Sequence, residues 1–217
     1  MAEIVADHLV RTHAIELRPR DFFTFDSGFA TPAYCDLRLA LGDFKARRAI
    51  VEALAVAVRS RFLDGSTEAE GSAPVTLVGV ATGGIAYATG VADLLGLPLA
   101  YVRPAAKDHG KGRRVEGGLP VAARCVVIDD VLGSGAAAAS AVAALKDYGA
   151  DVLGVCAVFS YDFDTLVASA AQASVPFVRL VDFMAVVERA HVWAAINADD
   201  INVIGAWYRP KSTWRSI

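Results

Sequence analysis

The sequence predicts an α/β domain: a parallel sheet of about five strands flanked by helices, with a small N-terminal hood and a C-terminal helical tail. Three observations carry this expectation. Five short apolar runs, 75–80, 97–103, 124–128, 152–161 and 176–181, lack the polar alternation of a half-exposed strand and so suit strands buried on both faces. Helical stretches separate the runs, as βαβ units require. Glycines stand where two of those stretches end, at Gly96 and Gly149, suited to the left-handed cap position.

Taken in chain order, "MAEIVADHLVRTHAIEL" (1–17) mixes acids and histidines with apolar residues and is expected to be a soluble amphipathic helix. Its interruptions do not fit the apolar core of a signal peptide or a spanning segment. The stretch 21–38 is expected to belong to the hood, assigned to 1–40. From Phe44 to Phe62, Val51, Leu54, Ala55, Val58 and Phe62 recur at helical spacing while Arg47, Arg48, Glu52 and Arg59 fall elsewhere, which marks a surface helix. "LDGSTEAEGSAP" has no period and is expected to be a loop. The core sheet is assigned to 75–182, with helices at 84–96, 136–149 and 162–174, and the tail to 183–217. No internal repeat and no long linker divides the 217 residues, which suffice for one domain with a full core.

Composition narrows the function classes. A net charge of −3 argues against a protein built to coat nucleic acid or an anionic membrane, so an anionic ligand must be met locally. Cys35, Cys125 and Cys156 are odd in number, far apart and without a CxxC, which points away from a metal cluster or disulfide framework and toward a reducing cytoplasm. The 55% apolar content is spread as alanine and valine in short runs, as in a sheet covered on both faces.

In open α/β sheets ligands sit beyond the carboxyl ends of the strands, so the loops after each run are the candidate sites. "ATGG" (81–84) follows the first run with a tight turn into a helix, able to hold a phosphate through backbone N–H groups or to serve as a plain connection. After the run at 124–128 come Asp129, Asp130, Val131, Leu132, then Gly133, Ser134, Gly135, Ala136 and Ala137 at a helix start. Such a turn offers successive N–H donors to a phosphate, yet two carboxylates one step upstream would repel it. A ribose between them resolves the conflict, its hydroxyls donating to the carboxylates while its 5′-phosphate lies in the turn. One of the acids could instead be a helix cap. Gly133-Ser-Gly135-Ala-Ala-Ala138 also satisfies a loose GxGxxA dinucleotide pattern, but the acid expected at the end of the next strand is displaced, Asp151 preceding that strand and Asp162 coming late. The loop 103–118 crowds Lys107, His109, Lys111, Arg113 and Arg114 among glycines; it is either a solvated connection or a cationic cover for a polyphosphate. In the hood, Ser27, Gly28, Tyr34 and Arg38 are turn and packing residues or ligand contacts.

Together these segments resemble the orotate phosphoribosyltransferases, members of the type I phosphoribosyltransferase fold. "SGFATPAYCDLR" is similar to the family's hood, "GVATGG" to its pyrophosphate loop, "YVRPAAKDHGKGRRVEG" to its mobile catalytic loop and "VVIDDVLGSGAAA" to its ribose-phosphate motif, in family order. The resemblance implies a reaction in which orotate displaces pyrophosphate from phosphoribosyl pyrophosphate, giving orotidine monophosphate for pyrimidine synthesis. It implies that Asp129 and Asp130 hold the ribose hydroxyls, that Gly133 to Ala137 hold the 5′-phosphate with Val131 and Leu132 also in the substrate site, and that Thr82, Gly83 and Gly84 line the pyrophosphate. It implies further that Arg103, Lys107 and His109 clamp the pyrophosphate, with Lys107, His109, Asp129 and Asp130 catalytic, and that Ser27, Tyr34 and Cys35 lie on the orotate side. Mg²⁺ is implied as cofactor, held mainly by substrate with no direct side-chain ligation required, Asp129 or Asp130 being the residues that could reach it. A cytoplasmic homodimer is implied, the 103–118 loop acting across its interface, with no nucleic-acid or membrane partner.

The sequence also departs from the family. Asp26, Phe29 and Ala30 stand where many members carry a hood lysine, Pro104 and Ala105 where a second loop lysine is common, and Gly133 and Ala137 where hydroxyl residues are usual. Each hydrogen bond lost to a charged group is worth roughly 1.5–3 kcal/mol, so the alternative expectation is a weakened or inactive paralogue that binds a nucleotide or phosphoribosyl pyrophosphate as a sensor.

Overall fold

The computed structural model describes residues 1–24, 30–63, 74–105 and 114–209. Helix α1 (Ala2–Arg11) buries Val5, Ala6 and Leu9. It is shorter than the 1–17 helix expected from sequence. His13 turns to φ 54°, and Ile15–Leu17 leaves as strand β1 to pair antiparallel with β4. The hood continues with strands β2 (Phe23–Thr24), β3 (Ala30–Thr31) and β4 (Ala33–Cys35), then a 3₁₀ turn over Leu37–Gly42. Helix α2 (Phe44–Phe62) begins where Asp43 accepts the Ala46 N–H at 2.7 Å, an N-cap that the sequence supplies just before the periodic run.

The core alternates as expected: β5 (Thr76–Val80), α3 (Gly83–Leu95), β6 (Leu99–Val102), β7 (Val115–Glu116), β8 (Arg124–Leu132), α4 (Ala136–Tyr148), β9 (Asp151–Ser160), α5 (Asp164–Ala173) and β10 (Phe177–Asp182). The sheet order is β10-β9-β8-β5-β6-β7. Five strands are parallel, matching the expected number; the sixth, β7, is a two-residue antiparallel edge formed where the 103–118 loop returns along Tyr101 and Val102. Two residues are too few to show any period in the sequence.

The tail forms α6 (Phe183–Val192) and α7 (Ala198–Tyr208), the latter started by a reciprocal capping box between Asn197 and Asp200. Both faces of the sheet are covered, so period-2 alternation sorts apolar side chains rather than apolar from polar. Leu77, Val126, Ile128, Cys156 and Val158 join the core beneath α1, α2, α3 and α6, while Val78, Val80, Val102, Val127, Val155 and Ala157 pack toward α4 and α5. Because β6 lies on one side of β5 and β8 on the other, the strand order reverses at the β5–β8 boundary. A crevice opens at such a switch point beyond the carboxyl ends of the strands.

Candidate active site at the β5–β8 switch point

Two of the sequence-predicted motifs meet at this crevice. Strand β8 runs on through the acid pair to Leu132, so Asp129 and Asp130 are strand residues rather than members of the loop expected after 124–128. Their pairing explains the correction: Asp129 is in parallel register with Ala157, and Val131 and Leu132 with Phe159 and Ser160 of β9. The two carboxyl groups remain neighbours but differ in exposure. Asp129 is only 4% exposed and accepts the Asp130 N–H at 2.9 Å; Asp130 is half-buried and accepts the Val131 N–H at 3.0 Å.

The turn after β5 presses directly on this pair. A Cβ at Gly83 would overlap the Asp130 carboxylate, and one at Gly84 would overlap the Ile128 carbonyl oxygen and come within 3.1 Å of the Asp129 Cα. Thr82, exposed at the N-cap of α3, and the two glycines therefore lie against the acids, and the Ala81–Thr82 peptide is cis. The neighbouring Ala81 N–H donates to the Val102 carbonyl at 2.9 Å, bringing the same turn beside Arg103.

The electrostatics of the crevice are anionic. Burial, then the Asp130 charge, push the Asp129 carboxyl well above the usual carboxylate range. Burial with Asp130 and Asp36 raises the Cys35 thiol, and burial with Asp130 raises the Tyr87 phenol, so hood, α3 and β8 face one another here. The Tyr87 hydroxyl fastens this junction by donating to the Leu37 carbonyl at 2.6 Å. Arg38 hydrogen-bonds Asp36 at 2.7 Å and 2.9 Å, which holds that carboxyl below its ordinary range. Tyr34 is exposed on the same hood strand, its ring 5.6 Å from that of Phe23.

Past Leu132, Gly133 and Ser134 lead to Gly135, which caps α4 with φ 79°, a left-handed conformation that favours glycine. A Cβ there would also strike Leu166 and Ser169 of α5, and the Ser169 hydroxyl donates to the Ser134 carbonyl at 2.8 Å. Ala136 and Ala137 begin the helix, exposed, in the first turn whose N–H groups have no intrahelical acceptors. The Ser134 hydroxyl lies 3.4 Å from the Ala136 N–H, which donates to it. An anion can thus be met by backbone donors at the positive end of α4.

Arg103 stands at the stem of the 103–118 loop, 4.0 Å from Glu116, with its Nη1 buried and without a hydrogen-bond partner. Arg114 ties the stem to α4, its Nε donating to the Arg103 carbonyl and its Nη2 to the Ser140 hydroxyl, both at 3.0 Å. Ser27, Lys107 and His109 fall outside the described residues. Of the contacts above, Arg114 belongs to the cationic loop read from the sequence, whereas Tyr87 and Ser169 lie outside the motifs; Tyr87 carries a signal in its placement one helical turn beyond Gly83. The displaced acids of the dinucleotide pattern are used elsewhere, Asp162 pairing with Arg179 at 2.6 Å.

Comparisons with known proteins agree with this geometry. The family model for the phosphoribosyl transferase domain matches residues 45–176. An orotate phosphoribosyltransferase of Listeria innocua is 36% identical over 210 residues, 97% of this chain and 96% of that protein. One from Bacillus subtilis is 36% identical over 213 residues, 98% of this chain and 94% of that protein. The crystal structure of orotate phosphoribosyltransferase from Aeropyrum pernix matches with a TM-score of 0.71 at 28% identity, covering 87% of this chain and 98% of that one. Full-length similarity of this kind, on a fold that brings the pyrophosphate-type turn against the paired acids, places the chain in the orotate phosphoribosyltransferase family.

Proposed function

We propose that the protein transfers the phosphoribosyl group of phosphoribosyl pyrophosphate to orotate, releasing pyrophosphate and forming orotidine monophosphate. The observation that carries this reading is the contact of Gly83 with Asp130 at the switch point, in a chain similar along its whole length to orotate phosphoribosyltransferases. In the reaction the bond from ribose C1 to the pyrophosphate oxygen breaks, the pyrophosphate keeping the electron pair, and N1 of orotate bonds to C1 as its proton is lost.

The chain's own groups divide that work. Asp130, the accessible acid, accepts hydrogen bonds from the ribose hydroxyls and sets negative charge beneath a sugar that becomes cation-like, while the buried Asp129, whose raised carboxyl favours its neutral form, backs it. The first turn of α4 holds the 5′-phosphate, while Thr82, Gly83, Gly84 and Arg103 meet the pyrophosphate; the Arg103 Nη1, buried without a hydrogen bond and only 4.0 Å from Glu116, is a cation with donor capacity left for an anion. Lys107 and His109 complete the cationic side, and Ser27, Tyr34 and Cys35 border the orotate. Among the described residues no cluster of three or more acids, histidines or cysteines could hold a metal alone. A Mg²⁺ would be held mainly by substrate oxygens, with the hard carboxyl oxygens of Asp129 or Asp130 the protein groups suited to reach it, and would supply neutralising charge for the pyrophosphate. The reading includes a cytoplasmic homodimer in which the 103–118 loop serves the neighbouring site; among the described residues no helix is long and apolar enough to cross a membrane.

The test follows orotate absorbance with phosphoribosyl pyrophosphate and Mg²⁺ present. Wild-type protein should consume orotate, and Asp130→Asn should lower kcat/KM about 100-fold through weakened charged hydrogen bonds. A folded wild type that leaves orotate untouched overturns the reading.

A further inference from the structure

The hood strands β2 and β3 form a hairpin of two residues per strand, Phe23 opposite Thr31 and Thr24 opposite Ala30, in a sheet of their own. A two-stranded ribbon of that length does not hold its place unaided. Its fastenings are therefore informative. Among the described residues, those within the hood include the Phe23 ring against Tyr34, the Arg18 guanidinium 4.4 Å above Phe23, and the Thr31 hydroxyl, which donates to the Ala33 carbonyl at 3.0 Å. Another comes from far along the chain, where the Trp207 Nε1–H of α7 donates to the Ala30 carbonyl at 3.1 Å.

Helix α7 is itself pinned to the sheet. The Tyr208 hydroxyl donates to the Tyr161 carbonyl at 2.9 Å, just past the end of β9, and the Tyr161 ring stacks on Phe163 at 5.2 Å. Trp207 meets Phe163 and Phe183 edge-on at 6.0 Å and 5.8 Å, so its ring direction is set by packing. A second polar link joins the same helix to the hood, Arg20 Nε donating to Asp200 at 3.0 Å. The tail thus bridges the hood hairpin and the carboxyl end of the sheet.

We infer that Trp207 is a positioning residue for the orotate half of the site, fixing the hood hairpin relative to the strand ends through its hydrogen bond to Ala30. This rests on the proposed orotate reaction, in which the hood borders the base while the phosphate groups are held by α3 and α4. Trp207→Phe keeps an aromatic ring facing Phe163 and Phe183 while removing the donor and part of the indole's packing, a loss of bulk that Trp193→Phe shares. It should raise the KM for orotate about three- to tenfold, the worth of one neutral hydrogen bond, and leave kcat and the KM for phosphoribosyl pyrophosphate within about twofold.

Trp193→Phe is the control. Trp193 Nε1 donates to Asp7 at 2.7 Å, at the other end of α6 from Phe183, about 15 Å along the helix. Losing that bond should lower the melting temperature without moving the KM for orotate. The inference is overturned if wild type is active and Trp207→Phe leaves the orotate KM unchanged, or raises both KM values equally. A wild type inactive with orotate overturns the proposed reaction, and this assignment with it.

Discussion

Gly83 and Gly84 are adjacent, yet the same substitution should fail at them for different reasons. A methyl group at Gly84 meets backbone, the Ile128 carbonyl oxygen and the Asp129 Cα, which cannot move without shifting a central strand. Overpacking of this kind costs about 1–3 kcal/mol, against which alanine returns up to about 1 kcal/mol over glycine inside a helix. At roughly 2–4 °C per kcal/mol for a chain of this size, Gly84→Ala should lower the melting temperature by several degrees. At Gly83 the obstacle is the Asp130 carboxylate, a side chain that can rotate away. Gly83→Ala should therefore melt at or slightly above the wild-type temperature while losing the carboxylate's hold on the ribose, lowering kcat/KM for phosphoribosyl pyrophosphate about 10- to 150-fold, the worth of one charged hydrogen bond. Thermal melts and initial rates on both variants decide the matter, with Gly42→Ala, where nothing lies within 4 Å, as control. Wild-type kinetics in Gly83→Ala, or equal stability of the two variants, would refute the placement of the turn against Asp130.

The raised carboxyl of Asp129 makes stability depend on pH with a definite sign. Below the ordinary aspartate range both folded and unfolded states are protonated and nothing is lost, whereas as pH rises through the raised folded value the native state alone resists ionisation and stability falls. Asp129→Asn should therefore melt above wild type near pH 8, with the gap closing toward about pH 4 at about 1.4 kcal/mol per unit of displacement; melts across that range showing a constant gap contradict it. Tyr87→Phe should lower stability by about 1–3 kcal/mol by leaving the buried Leu37 carbonyl without its 2.6 Å donor, read by urea denaturation; a change below about 0.5 kcal/mol would contradict that role.

The βαβ core was legible because its signals are local. Continuous apolar runs mark strands covered on both faces, and Gly96 and Gly149 stop helices with φ 67° and 95°. The elements that escaped are those fixed by distant partners. β1 exists because Ile15 and Leu17 pair with β4, against a helical pattern that by itself runs on past Arg11. β7 exists because a loop returns along β6. Within the site, the acid pair and the glycine turns could be found as separate motifs, but their contact arises only from strand order, which brings β5 beside β8 although β6 and β7 intervene in the chain. The role of the tail was least legible, since nothing local to Trp207 announces a carbonyl 177 residues earlier as its acceptor.

The departures from the family pattern acquire a physical meaning from this arrangement. Gly133 and Ala137 lack the hydroxyls usual at their positions, so an anion in this turn must be held mainly by main-chain donors. Those donors are aimed by the backbone, and the backbone is locked by Gly135, whose left-handed conformation is packed against Leu166 and Ser169 and whose neighbour Ser134 is tied to α5 by hydrogen bond. A cradle built this way orders no side chain when it fills, which offsets part of the loss of hydroxyl contacts. The acid pair works in the opposite sense. With Asp129 buried beside Asp130, ionising both costs stability until something with hydroxyl donors or positive charge lies over them. A rigid anion cradle beside an acid pair in need of donors selects a ligand that brings both a phosphate and vicinal hydroxyls, and a phosphorylated ribose is such a ligand.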